Sequence, residues 1–244
     1  MKVLGVIPAR GGSKGVKNKN ILKMHGKPII GYTIEAAMES KLLDKIVVST
    51  ESILISKIVQ ENYKVEVIKR PSEFAKDDSP IEQSLLHAVE HLDKVNDYSF
   101  DMVVMLFANM PVRKKGIIDS VIKKLLNNPE ADSSATCYEI EHNPWIMKTL
   151  NKNGRLIPIF NDVEFIRRQE FPKRYLLDGS VVAMWRRNLF ETRGIRKAHV
   201  YLGNEIVPVY QNKEDISTIE IDNSEDLKVV SQYIELRKKN NKYE

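Results

Sequence analysis

The chain has 244 residues, 42% of them hydrophobic, a formal net charge of +5 and a single cysteine. That is apolar content enough for the core of one α/β domain with a small appendage. It excludes an internal disulfide, which suits a reducing cytoplasm. No run of about 18 apolar residues offers a membrane span. Because the chain enters a strand without an apolar leader, export is not expected. The cations gather neither on one face nor among aromatics, so a nucleic-acid surface is not expected either.

Val3–Ile7 is a short apolar run that predicts a buried parallel strand, stopped by Pro8. Arg10, Gly11, Gly12, Ser13, Lys14 and Gly15 follow, then Lys17, Lys19 and Asn20. Glycines there permit tight turns and bring amide hydrogens close to a ligand, and four cations straight after a strand suit a chain of phosphates. A solvated basic turn would have a similar composition. Neither G-x-x-x-x-G-K-[ST] nor G-x-G-x-x-G is present, which argues against an ordinary ATPase or GTPase and against the usual dinucleotide fingerprint.

Apolar spacing then predicts a helix over 29–38, a strand over 45–48, a helix over 53–61 and a strand over 65–68. This alternation is the sequence form of a mostly parallel sheet covered by helices on both faces. Ligands of such sheets bind beyond the carboxyl ends of the strands, which places the Arg10–Asn20 loop, Ser49–Glu51 and Arg70 along one edge. Taken by itself, Arg70 is a surface cation beside Lys69. Asp77 and Asp78 either touch a metal or a sugar hydroxyl, or favour the positive end of the helix expected from Ile81 to about Leu92. His87 and His91 are four apart, but with no H-E-x-x-H arrangement a helix face explains them better than zinc.

The apolar run 101–107 predicts a central strand, followed by a helix over 116–127 and a strand over 133–138. Between 139 and 178 the pattern breaks into short apolar pieces with turn signals such as Asn153-Gly154, an excursion from the core. Ser180–Trp185 predicts a further strand. If 219–222 is also a strand, Glu220 and Asp222 point to one face and can hold a Mg²⁺ that bridges phosphate oxygens. Asn223-Ser224 followed by acidic residues would equally be a helix cap.

Ala9, Arg10, Ser13, Lys14 and Gly15 with Lys19-Asn20 resemble the N-terminal signature of the acylneuraminate cytidylyltransferase family, which activates acidic keto-sugars such as sialic acid with CTP. Ser49-Thr50-Glu51 resembles the family's Ser-Thr-Asp, and Arg70-Pro71 its Arg-Pro. Pro111 and Arg113 keep the frame of its Gln-Pro-Thr-Ser-Pro-Leu-Arg, from which residues 107–110, Asn109 among them, depart where the family meets its acceptor. Arg168, Gln169, Pro172, Asp178 and Gly179 follow its Arg-Gln-x-x-Pro…Asn-Gly. Here Asp178 replaces asparagine, and Leu176 stands where an arginine commonly reaches the sugar acid. The acceptor is thereby left open, with Arg168 or Arg174 as substitute cations.

The resemblance implies a Rossmann-like nucleotidyltransferase sheet whose excursion is a dimerisation arm, with Trp145 and Phe160 as natural anchors. It implies that Asn20 and Arg70 hold the nucleoside and that Glu220 and Asp222 are metal ligands. On this reading Arg10, Lys14 and the amides of Gly11, Gly12 and Ser13 neutralise the outer phosphates, while Lys19 meets the α-phosphate.

Overall fold

The computed structural model describes residues 1–95, 99–161, 167–212 and 218–240. It begins with β1 (Val3–Pro8), buried along its length, with Pro8 as the final residue where its missing amide costs least. A small hairpin of β2 (Lys23–Met24) and β3 (Lys27–Pro28) turns at His25-Gly26, both at positive φ, and Pro28 leads into α1 (Ile29–Met38). There follow β4 (Lys45–Thr50), α2 (Ile53–Asn62), β5 (Glu66–Lys69), α3 (Ile81–Val95), β6 (Met102–Met105), α4 (Ile117–Leu126) and β7 (Ser133–Glu139). The arm carries β8 (Lys148–Leu150) and β9 (Leu156–Pro158); β10 (Tyr175–Trp185), α5 (Arg186–Glu191), β11 (Ile206–Tyr210) and α6 (Ser224–Asn240) complete the chain.

Among the described residues seven strands form the main sheet, in the order β11-β7-β10-β6-β1-β4-β5, with β6 at its centre as expected. All pairings are parallel except those of β10, which runs antiparallel between β6 and β7. The cause is the connection: β10 follows the arm rather than a crossover helix, and a parallel return needs a crossover. Alternate residues of β1 serve opposite faces. Val3 and Ile7 pack with α1, α2 and α4, whereas Leu4 and Val6 pack with α3 and Leu189 of α5. A third cluster, Met24, Ile29, Val112, Ile221, Val230 and Ile234, seats α6 on the hairpin and the start of α1.

Three features differ from the sequence expectations. Residues 219–222 are not a strand: the Ile221 amide donates to the Asn109 carbonyl at 2.9 Å instead of entering a ladder. The excursion is shorter than 139–178, because Glu139 still pairs with Tyr175 and Leu177 with Cys137. The third is β11, which the sequence pattern did not reveal; its central Pro208 is tolerable because β11 is an edge strand. Within the arm the Asn-Gly signal behaves as expected. Gly154 takes φ +71° in the β8–β9 turn, and the Asn151 side chain accepts from the amides of Asn153 and Arg155.

Arg113 is the most demanding residue of the core. Its guanidinium donates to the carbonyls of Phe107, Met110 and Ser180 and to the Thr33 hydroxyl. Burial pushes its pKa down to about 9, so it stays charged at pH 7. Arg113→Ala would strand those carbonyls away from water at a cost of about 3 kcal/mol. For a chain of this size a thermal melt should show a loss of roughly 6–12 °C; an unchanged Tm would contradict this role.

Candidate active site

The loops leaving the carboxyl ends of β1, β5 and β6, together with the segment before α6, enclose a cleft of about 420 Å³. This is the edge at which a parallel sheet presents its ligand sites. From the first loop come Arg10, Ser13, Lys14, Gly15, Lys19 and Asn20. The β5 loop and the start of α3 give Arg70, Phe74, Asp77 and Ser84; Phe107 and Asn109 follow β6, and Glu220 and Asp222 face them.

The cations are held by carboxylates. Asp77 bridges Arg10 and Lys14, each at 2.7 Å, and the Lys14 ammonium, followed by the Arg10 guanidinium, holds its carboxyl below the usual range. Lys19 donates to Asp222 Oδ1 at 2.9 Å. Asn20 is buried, its amide donating to the Arg10 carbonyl at 3.0 Å, so it shapes the loop from within. Arg70 is not the surface cation its neighbours suggest: only 3% of its side chain is exposed. It donates to Ser84 Oγ at 2.6 Å and to Glu51 Oε2 at 2.8 Å.

The glycines act differently from the sequence expectation. The Gly11 amide does not face the cleft but donates to Glu51 Oε1 at 2.6 Å. Neither Gly12 nor Ala9 is among the cleft-lining residues; Ala9 is buried, with its amide on the Ser49 carbonyl. The glycine demanded by packing is Gly15, where a Cβ would lie 2.0 Å from the Asp222 carbonyl oxygen. Backbone against backbone, that contact brings the cationic loop up to the acidic segment.

Glu220 and Asp222 stand on either side of Ile221, which is fully buried. Asn109 Nδ2 donates to Glu220 Oε1 at 2.6 Å, to the Ile221 carbonyl at 3.2 Å and to Asp222 Oδ1 at 3.4 Å. Helix capping does not consume these carboxylates, because Asn223 and Asp226 cap α6: Asn223 Oδ1 accepts from the Glu225 and Asp226 amides, and Asp226 Oδ2 from those of Asp222 and Asn223. Two oxygen donors without histidine or cysteine suit a hard cation such as Mg²⁺ that fills its shell with water and ligand oxygens. Among the described residues no cluster of three or more His, Cys, Asp or Glu side chains is poised for a metal.

Of the remaining sequence candidates, Gln169, Asp178 and Gly179 lie outside the lining. Asp178 is buried beneath the sheet end, accepting from Thr136 Oγ1, Gln211 Nε2 and the Ser180 amide. Gly179, at φ +75°, backs the Phe107 ring, which a Cβ would meet at 2.9 Å. Gln169 is exposed on the arm, and Arg168 belongs to the same turn with its side chain outside the described part of the structure. Leu176 is exposed at the start of β10, and Arg174 lies over the Trp145 ring at 4.0 Å. Ser84, Phe74 and the role of Glu51 were missed by the sequence reading; only the Ser-Thr-Glu triplet gave a signal, and it did not say what Glu51 holds.

A family model described as Cytidylyltransferase matches residues 4–241. The N-acylneuraminate cytidylyltransferase of Streptococcus agalactiae is 33% identical over 184 residues, which are 74% of this chain and 43% of that protein. The chain thus spans less than half the length of that relative. The CMP-N,N'-diacetyllegionaminic acid synthase of Legionella pneumophila is 31% identical over 196 residues, 79% of this chain and 82% of that one. Among solved structures, a CMP:2-keto-3-deoxy-manno-octonic acid synthetase complexed with CTP superposes with a TM-score of 0.74 at 18% identity, covering 97% of this chain and all of that one.

Asp77 already sits on two cations, so an incoming polyanion must displace it. Asp77→Asn is expected to tighten inorganic pyrophosphate binding about two- to fivefold in calorimetry, the scale of exposed ion pairs. Weaker binding would show that Asp77 assists the anion instead.

Proposed function

We propose, for a chain that belongs to the cytidylyltransferase family, that it transfers CMP from CTP to an acidic keto-sugar of the sialic-acid type. The observation that carries this reading is one cleft in which Arg10, Lys14 and Lys19 share the lining with two carboxylates, Glu220 and Asp222. An acceptor oxygen attacks the α-phosphorus, the bond from it to the bridging oxygen of the β-phosphate breaks, and pyrophosphate leaves. Chemistry of this kind asks the protein for position and charge neutralisation.

Arg10 and Lys14 neutralise the outer phosphates once Asp77 is displaced. Lys19, with 13% of its side chain exposed, meets charge developing at the α-phosphate. Arg70 and Asn20 shape the nucleoside end. Glu220 and Asp222 are the residues that would hold Mg²⁺, which when bound supplies charge neutralisation across the phosphate oxygens. The residue departures at 107–110 and 176 support an acceptor other than ordinary sialic acid within the same acidic class.

The arm supports a homodimer. Ile146, Leu150, Leu156, Ile159 and Phe160 are all exposed on it, more apolar surface than a lone hairpin leaves to water. CTP supply and the unpaired Cys137 thiol fit a reducing cytoplasm. Among the described residues no helix is long and apolar enough to cross a membrane.

The decisive assay is pyrophosphate release with CTP and Mg²⁺ across a panel of acidic keto-sugars and phosphonates. Release with one keto-sugar acid is expected, and Lys19→Ala should cut its turnover about a hundredfold in a folded protein. Silence across the panel would overturn the reading, and undiminished turnover would remove Lys19 from it. For the assembly, Leu156→Asp with Phe160→Asp should shift the sedimenting species from dimer to monomer. A wild-type monomer would refute the dimer.

A further inference from the structure

We infer that Glu51 is a positioning residue which couples the phosphate half of the cleft to its nucleoside half. This inference rests on the proposed CTP site. Glu51 is not itself among the cleft-lining residues. It follows β4 directly and precedes Ser52, whose hydroxyl caps α2 by accepting from the Ile55 amide. Strand and capped helix fix its backbone from both sides.

The two oxygens of its carboxylate have different tasks. Oε1 accepts from the Gly11 amide at 2.6 Å, and Oε2 accepts from Arg70 at 2.8 Å. The first bond fastens the loop that carries Arg10, Lys14 and Lys19. The second orients a guanidinium whose other terminal nitrogen is committed to Ser84. One charge therefore sets the distance between the loop after β1 and the loop after β5, the two walls between which a nucleotide lies. A Cβ on Gly11 would lie 2.9 Å from Ser52 Cβ and 3.4 Å from Glu51 Oε1, so the loop lies directly against this corner.

Electrostatics favours the ionised form. Burial on its own would raise the Glu51 pKa, but the hydrogen bonds from Arg70 and the Gly11 amide outweigh it and leave it below the usual range. The carboxylate stays charged through neutral pH and meets the buried Arg70 guanidinium with the opposite charge. Glutamine has the same shape and can still accept from Gly11, but it offers Arg70 no charge. Aspartate keeps the charge on a shorter arm that does not span both partners.

The test is CTP binding by calorimetry for wild type, Glu51→Gln, Glu51→Asp, Arg70→Lys and the double variant that combines Glu51→Gln with Arg70→Lys. Each is melted first to select a temperature at which it is folded. Glu51→Gln should raise the Kd for CTP about tenfold, with the acceptor KM at saturating CTP changed less than twofold. Aspartate should not restore binding. In the Arg70→Lys background the Glu51→Gln effect should shrink to threefold or less, because the partner is already misplaced. A purely structural Glu51 would lower the Tm, leave the Kd of the folded protein at the wild-type value and show no coupling to position 70; that result overturns the inference. Wild type failing to bind CTP would instead overturn the reading of the site.

Discussion

A single buried guanidinium fixes the geometry on which the site depends. Arg113 must satisfy its donors inside the protein, and it does so on the carbonyls of Phe107, Met110 and Ser180 and on the Thr33 hydroxyl. Leaving such a group or its acceptors unpaired in the interior is costly, so the loop after β6 has little freedom. That loop presents Asn109. Asn109 in turn holds Glu220 and the Ile221 backbone, and Gly15 lies against the Asp222 carbonyl. A chain of contacts thus runs from the core to the cationic loop without a secondary-structure ladder between them.

The cleft is arranged as matched charges. Asp77 lies across Arg10 and Lys14, Asp222 answers Lys19, and Glu51 answers Arg70. The pairs differ in exposure and therefore in use. Arg70 and Glu51 are largely withdrawn from water, where breaking a pair is expensive, so they serve as a fixed strut. Asp77 and Lys14 are open to solvent, where ion pairs are weak and exchangeable. A rigid end and an adaptable end of the cleft follow from the same chemistry at different depths.

The arm shows the reverse economy. It exposes leucine, isoleucine and phenylalanine, while the Trp145 ring neighbours Phe160 and Phe171 and carries Arg174 over it. Arg174 is therefore engaged with an aromatic face. Leu176, at the start of β10, is exposed and carries no charge.

Most of the sheet was legible because buried parallel strands and amphipathic helices write themselves as local apolar patterns: α1 spans the expected 29–38, and β6 is central. Local sequence also marked Arg10, Lys14 and Lys19 as a cationic loop, since charge density needs no neighbours to be seen. Three-dimensional contacts decided the rest. Whether Arg70 is a surface cation or a buried one depends on Glu51 and Ser84, 19 and 14 residues away. Asp178 was expected at the substrate, yet Thr136 and Gln211 take both of its oxygens. The glycine that brings the cationic loop up to the acidic segment is Gly15, because only the fold brings the Asp222 carbonyl to it. Patterns of hydrophobicity and charge are properties of a segment, whereas the partner of a polar group is a property of the tertiary structure.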